Sequence, residues 1–104
     1  MENDSPKTIA AREILRESDA IRSDRGAVYG HPWTNHLRIS KLWSAYLDIP
    51  ITPDQVAVCM ALLKISRLAE TTGHRGRDGF VDGCAYLALA AELSTTDPTE
   101  FDAY

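Results

Sequence analysis

Apolar residues recur along this chain at three- and four-residue spacing, and no stretch alternates polar and apolar over a sustained run. That is the helical period, so the pattern predicts helices and no sheet. Ser5-Pro6 reads as the first helix start, with serine as N-cap and proline at the first helical position. The helix is expected to run to about Ser23, with Ile9, Ala10, Ile14, Leu15 and Ile21 as a narrow apolar stripe. Its other face carries Arg12, Glu13, Arg16, Glu17, Asp19 and Arg22. The i,i+4 pairs Arg12/Arg16 and Glu13/Glu17 repel, so this helix must be held by docking and not by its own side-chain pairs.

Ser23–Gly30 (SDRGAVYG) reads as a connector with two glycines, and His31-Pro32 restarts a helix. In that second helix Ile39, Leu42, Trp43, Tyr46 and Leu47 keep helical spacing. Asp48-Ile49-Pro50 ends it, because a residue before proline avoids the α region. Thr52-Pro53-Asp54 is the strongest start in the chain: an N-cap, a first-turn proline and a first-turn acid. Val56, Cys59, Met60, Leu63 and Arg67 form one expected seam, and Leu62, Ile65 and Leu68 widen it. A helix this apolar reads as central. It is expected to end near Thr72, with Gly73 as its stop. Asp78 reads as the N-cap of a last helix holding Phe80, Val81, Cys84, Ala85, Leu87, Ala88, Ala91 and Leu93. In that helix Gly83, Ala85, Ala88 and Ala91 are small enough for close helix approach.

The expected architecture is therefore all-α: a single domain resembling a four-helix bundle, antiparallel in sequential pairs. Residues 1–4 form a disordered lead, 5–93 the helical domain and 94–104 a polar tail. With 104 residues, such a domain buries about 65% of its unfolded surface, enough for one modest core. Trp33, Trp43 and Tyr46 read as core or as oligomer interface, and a homo-oligomer is expected because so short a bundle cannot bury all its large residues alone.

Charge narrows the function classes. There are 15 acidic and 11 basic residues, for a net charge of −4. That excludes a general binder of extended nucleic-acid duplexes, which needs excess positive charge. No apolar run approaches the roughly 20 residues that span a bilayer. The polar start MENDSPK does not read as a signal peptide, so the expectation is a cytoplasmic protein with no membrane partner. Cys59 and Cys84 fall on apolar stripes and read as buried reduced thiols, with a disulfide between the two helices left open.

The chemistry-bearing residues concentrate between Thr52 and Glu92. Lys64, Arg67 and Glu70 lie near one edge of the third helix, while Asp78, Asp82 and Tyr86 line one face of the fourth. A charge on a core seam must be paired or hydrated. One reading is a structural Lys64–Asp82 or Arg67–Asp82 ion pair that fixes helix register. The other is a polar pocket in which Asp82, with Asp78 or Glu70, holds Mg²⁺ while Lys64 and Arg67 meet phosphates; two carboxylates are the minimum for that ion. The segment GHRGRDG lacks the strand-to-helix setting and the Gly-Lys-Ser/Thr ending of a P-loop. It could still cup a phosphate through Arg75, Arg77 and backbone N–H groups. His31, His36 and His74 lack the i,i+4 spacing of a helical zinc pair and read as capping or surface hydrogen-bonding residues. Tyr29, beside a glycine in the expected connector, is a candidate for stacking on a ligand.

The motifs RGxxYGHPxxNH (from Arg25), LWSAYL (from Leu42), ITPDQVAxxMxLLKISRL (from Ile51) and HRxRDGFVDGCAY (from His74) closely resemble a family of small phage and prophage helical proteins of unknown function. The resemblance covers roughly residues 24–92. That family in turn resembles, distantly, the all-α nucleoside triphosphate pyrophosphohydrolases of the MazG type. The resemblance implies an oligomeric helical bundle that handles nucleotides or another small phosphorylated ligand. MazG-type enzymes carry a Glu-x-x-Glu pair on one helix and a Glu-x-x-Asp pair on a later one, together binding Mg²⁺. Asp78 and Asp82 resemble the later pair. The earlier pair is missing: the second helix offers Asn35, His36 and Lys41, and the third Lys64, Arg67 and Glu70. The implied enzyme would use Asp78, Asp82 and Glu70 for metal and Lys64 and Arg67 for phosphate charge. An implied non-enzymatic binder would use Tyr29, Asn35, Lys64 and Arg67. A third reading is a helical protein–protein interaction module whose ion pairs serve the fold alone.

Overall fold

The computed structural model describes residues 8–29 and 32–97, with side chains throughout except at residues 24–29. The described residues form four α-helices and one short 3₁₀ turn, and no strand. They are α1 (Ala11–Tyr29), α2 (Pro32–Leu47), α3 (Pro53–Arg67) and α4 (Arg77–Ser94), with the 3₁₀ turn at Gly73–Gly76. The all-α expectation is met. The helix start expected at Ser5-Pro6 and most of the expected lead and tail lie outside the described residues.

Both boundaries of α1 differ from the sequence reading. Thr8, Ile9 and Ala10 are not helical, and α1 begins at Ala11. It then runs through the stretch expected as a connector, as far as Tyr29. A single helix-interior glycine costs about 1 kcal/mol, so Gly26 is tolerated, and the stronger stop is the proline that opens α2. At the other end of α2 the left-handed residue is Asp48 (φ 58°). Ser44 secures the α2–α3 corner: its Oγ accepts from the Ile51 amide at 2.9 Å.

α3 starts as expected, and more firmly. Thr52 Oγ1 accepts from the Gln55 amide, and Gln55 Oε1 accepts from the Thr52 amide, a reciprocal capping box. The helix stops at Arg67, earlier than Thr72, and the left-handed Gly73 (φ 63°) opens the 3₁₀ turn instead. α4 is preceded by Gly76 as its N-cap, and Asp78 sits inside the first turn. Gly76 is forced by space: a Cβ there would run into the Thr71 carbonyl oxygen.

The fold centres on the α3–α4 hairpin, the most extensive helix contact in the chain. The antiparallel sense follows from its pairs: Leu68 lies against Gly76, Lys64 meets Asp82, and Ala57 joins Leu89, Ala90 and Leu93. α1 docks on α4 and α2 on α3, whereas α1 and α2 barely touch. Sequential pairing therefore holds for α2/α3 and α3/α4 but fails for α1/α2. The main core cluster is Trp33, Ala57, Leu89, Ala90 and Leu93, with Leu37 and Tyr86 against it.

The inward face of α3 keeps only Val56 and Met60 of the expected seam. Val56, Ala57 and Ala61 are buried, with Met60, Lys64 and Leu68 half-buried beside them, while Cys59, Leu62, Leu63, Ile65 and Arg67 are exposed. The cause is packing distance: small residues face α4 and let the two backbones approach, which leaves the bulky aliphatics on the far side. α4 follows the same logic. Val81, Ala85, Leu89, Ala90 and Leu93 point in, whereas Phe80, Leu87, Ala88 and Ala91 point out. Close approach falls at Gly76 and Gly79, each with a Leu68 methyl 3.0 Å from where a Cβ would stand, and not at Gly83, which has no such neighbour.

Candidate functional site

The candidate residues of α3 and α4 come together only in part. Lys64 Nζ lies 3.0 Å from Asp82 Oδ2, and the two side chains are only 18% and 15% exposed. Lys64 is half-buried, between Met60 and Leu68 on the inner edge of α3. The ion pair bridges the two antiparallel helices near the turn that joins them.

The remaining catalytic and metal candidates are exposed. Arg67 and Glu70 are exposed, at the end of α3 and in the turn after it, and Asp78 is exposed in the first turn of α4. Among the described residues, no three His, Cys, Asp or Glu side chains gather closely enough to hold a metal ion. Of the three carboxylates expected to hold Mg²⁺, Asp82 faces Lys64, while Asp78 and Glu70 are exposed. Asn35 is half-buried in the first turn of α2. Tyr29 is the last residue of α1, and its side chain lies outside those described.

In the segment expected to cup a phosphate, Arg77 already has a partner: its Nη2 donates to Glu17 Oε2 of α1 at 2.5 Å. Arg75 and His74 are exposed. Both cysteines are free thiols, and Cys59 is exposed where a buried residue was expected, because it lies on the outer side of α3.

Sequence reasoning missed three polar residues. Ser18 is buried, and its hydroxyl is shared between the Ile14 carbonyl of its own helix and the Val81 carbonyl of α4, both at 2.8 Å. Its position, four after Ile14 and three before Ile21, was the available signal. His36, expected at the surface, is buried, and its Nδ1 donates to the Pro32 carbonyl at 3.0 Å. A carbonyl only accepts, so Nδ1 carries the proton. Burial pulls the His36 pKa below the ordinary histidine value, and the hydrogen bond to Pro32 opposes this less strongly. Arg22 adds a third link from α1 to α4, through Glu92 at 3.0 Å.

The class these features define is an all-helical domain built on one antiparallel hairpin, with a sheltered ion pair between its two helices and large aliphatic side chains on its outside. The chain belongs to the family described as Domain of unknown function (DUF6378), whose model matches residues 13–94. It is similar to the Gene 55 protein of Mycobacterium phage L5, 34% identical over 89 residues that make up 85% of this chain and 56% of the relative. It is also similar to the Gene 55 protein of Mycobacterium phage D29, 39% identical over 84 residues, 80% of this chain and 54% of the relative. The chain thus spans about half the length of these relatives. No solved structure matches it. Among the described residues no helix is long and apolar enough to cross a membrane.

Proposed function

We propose that this domain acts by association: it is a helical protein–protein interaction module, in which the Lys64–Asp82 pair fixes the register of the hairpin. The observation that carries this reading is the outward placement of Leu42, Tyr46, Leu62, Leu63, Ile65 and Leu87 on a chain whose buried core is mostly alanine, valine and leucine. Exposed apolar surface on this scale marks an interaction site in a soluble domain. A photo-crosslinking residue placed at Leu62, and separately at Leu87, tests it in cells that make the protein. A covalent adduct of discrete mass at one of the two positions is expected; none at either would sink the reading.

A second reading keeps the nucleotide. Lys64 is sheltered, Arg67 follows it by one turn, and Asp78 precedes Asp82 by one turn, so a phosphorylated ligand that displaced Asp82 would find a cation in a partly desolvated place. This supports nucleotide binding or sequestration more than MazG-like hydrolysis, because Asp82 already faces a cation while Asp78 and Glu70 are exposed. Incubation with Mg²⁺ and a panel of linear and cyclic nucleotides separates the readings. The module shows neither a melting shift nor pyrophosphate release. A shift lost in Lys64→Met favours the binder, and turnover lost in Asp82→Asn favours the enzyme.

A further inference from the structure

The outer side of α3 is the most unusual surface of the molecule. Between Gln55 and Ser66 its sequence is QVAVCMALLKIS, whose single charge, Lys64, turns inward to Asp82. The outer side therefore carries no charge over about three turns. Val58, Leu62 and Ile65 stand on it at four- and three-residue spacing, all exposed, with Leu62 56% accessible. This is the a/d spacing by which two helices pack side by side. Depletion of charge at the centre of an apolar strip is the compositional mark of an interface core.

We infer that α3 is the centre of a two-fold interface with a second copy of this chain, in which the Val58–Leu62–Ile65 stripes pack against each other in antiparallel sense. An isologous two-fold is self-complementary. With its axis near Leu62, Val58 of one copy meets Ile65 of the other, a valine–isoleucine contact repeated twice around a central leucine pair. Cys59 and Leu63 lie along one edge of the stripe. The proposal rests on the interaction-module reading and names its partner.

Area supports the same occupant. The exposed aliphatic groups of α3 alone amount to roughly 400 Å², already the size of the largest apolar patch on an ordinary monomer. Leu42 (65% exposed) and Tyr46 (88% exposed) lie on α2, the helix beside α3. They bring the apolar surface of the two helices near the roughly 800 Å² per partner of a standard interface.

Light scattering on the eluting protein and sedimentation equilibrium at tens of micromolar test the inference. The native chain is expected at twice its 11.5 kDa mass. Leu62→Glu should halve that mass while the far-ultraviolet circular dichroism stays helical, since the side chain is exposed. Ile65→Lys provides a second break at the other end of the stripe if Leu62→Glu fails to fold. Leu87→Glu, the same kind of change on the exposed side of α4, should leave the dimer intact. A monomeric native chain overturns the inference, and so does a dimer that survives both α3 substitutions. The crosslinker at Leu62 keeps the two levels apart. An adduct twice the chain mass supports self-association, whereas an adduct of any other mass overturns the second copy and leaves the interaction module standing.

Discussion

Lys64 is the residue at which the functional readings divide, and its environment makes the division measurable. A sheltered cation beside a sheltered carboxylate gains Coulomb energy but loses hydration, so the pair adds little net stability, while removing one partner strands the other. Lys64→Met and Asp82→Leu are each expected to cost about 1–3 kcal/mol in urea unfolding, and the double variant much less than their sum, a coupling of about 0.5–3 kcal/mol. Additive costs would mean that the pair is not a unit in solution. His36 supplies a separate pH signature. Burial lowers its folded pKa, so the unfolded chain, titrating near 6.5, takes up a proton that the folded chain resists. Stability is then unaffected by His36 above about pH 6.5 and falls as the pH drops below it. The melting temperature of the native protein should decline more steeply between pH 7.5 and 5.5 than that of His36→Gln; parallel profiles would remove His36 as the cause.

At the scale of elements, glycine positions separate what space demands from what it permits. Gly83 lies inside α4, and a methyl group there would meet nothing within 4 Å. Gly83→Ala should therefore raise stability by about 0.5–1 kcal/mol through helix propensity. Gly76→Ala drives a methyl into the Thr71 carbonyl and should cost about 2–4 kcal/mol. Chemical denaturation of the two variants reads both effects, and equal signs would contradict the packing described. The sequence made helix existence legible because caps and period are local: Pro32, Thr52-Pro53 and the Asp48–Pro50 stop all fall where the chain spells them. It did not make legible which side of α3 faces inward. Cys59 and Leu63 look like part of a seam by hydrophobicity, yet Ala57 and Ala61 take the inner positions beside Val56 because small residues allow α4 closer. The Lys64–Asp82 contact was legible as one of two pairings, since both residues sit beside apolar stripes at matching distances from the turn. Ser18 and His36 were not, because a buried polar residue is recognised by its hydrogen-bond partner, and those partners are carbonyls the sequence does not mark.

For the whole molecule, the packing is uneven in a way that sets the order of opening. The α3–α4 hairpin is joined by extensive contacts, whereas among the described side chains of α1 only Ile14 and Ser18 are buried. Among the described residues α1 is also tied by the Glu17–Arg77 and Arg22–Glu92 pairs, whose side chains are substantially exposed, and such pairs contribute about 0–1 kcal/mol each. α1 should therefore undock from α4 in a subglobal opening while the hairpin stays closed. Native-state hydrogen exchange is expected to show amides of residues 14–22 exchanging at a lower opening free energy than those of residues 56–64 and 81–93. Ile14→Ala should lower protection in α1 further and leave the hairpin amides unchanged. Uniform protection across all helices would mean that α1 is part of the cooperative core. Self-association through α3 sharpens the contrast, because a second copy covers the outer side of the hairpin and leaves α1 where it is: at a dilution that dissociates the dimer, protection should fall in α3 and stay the same in α1.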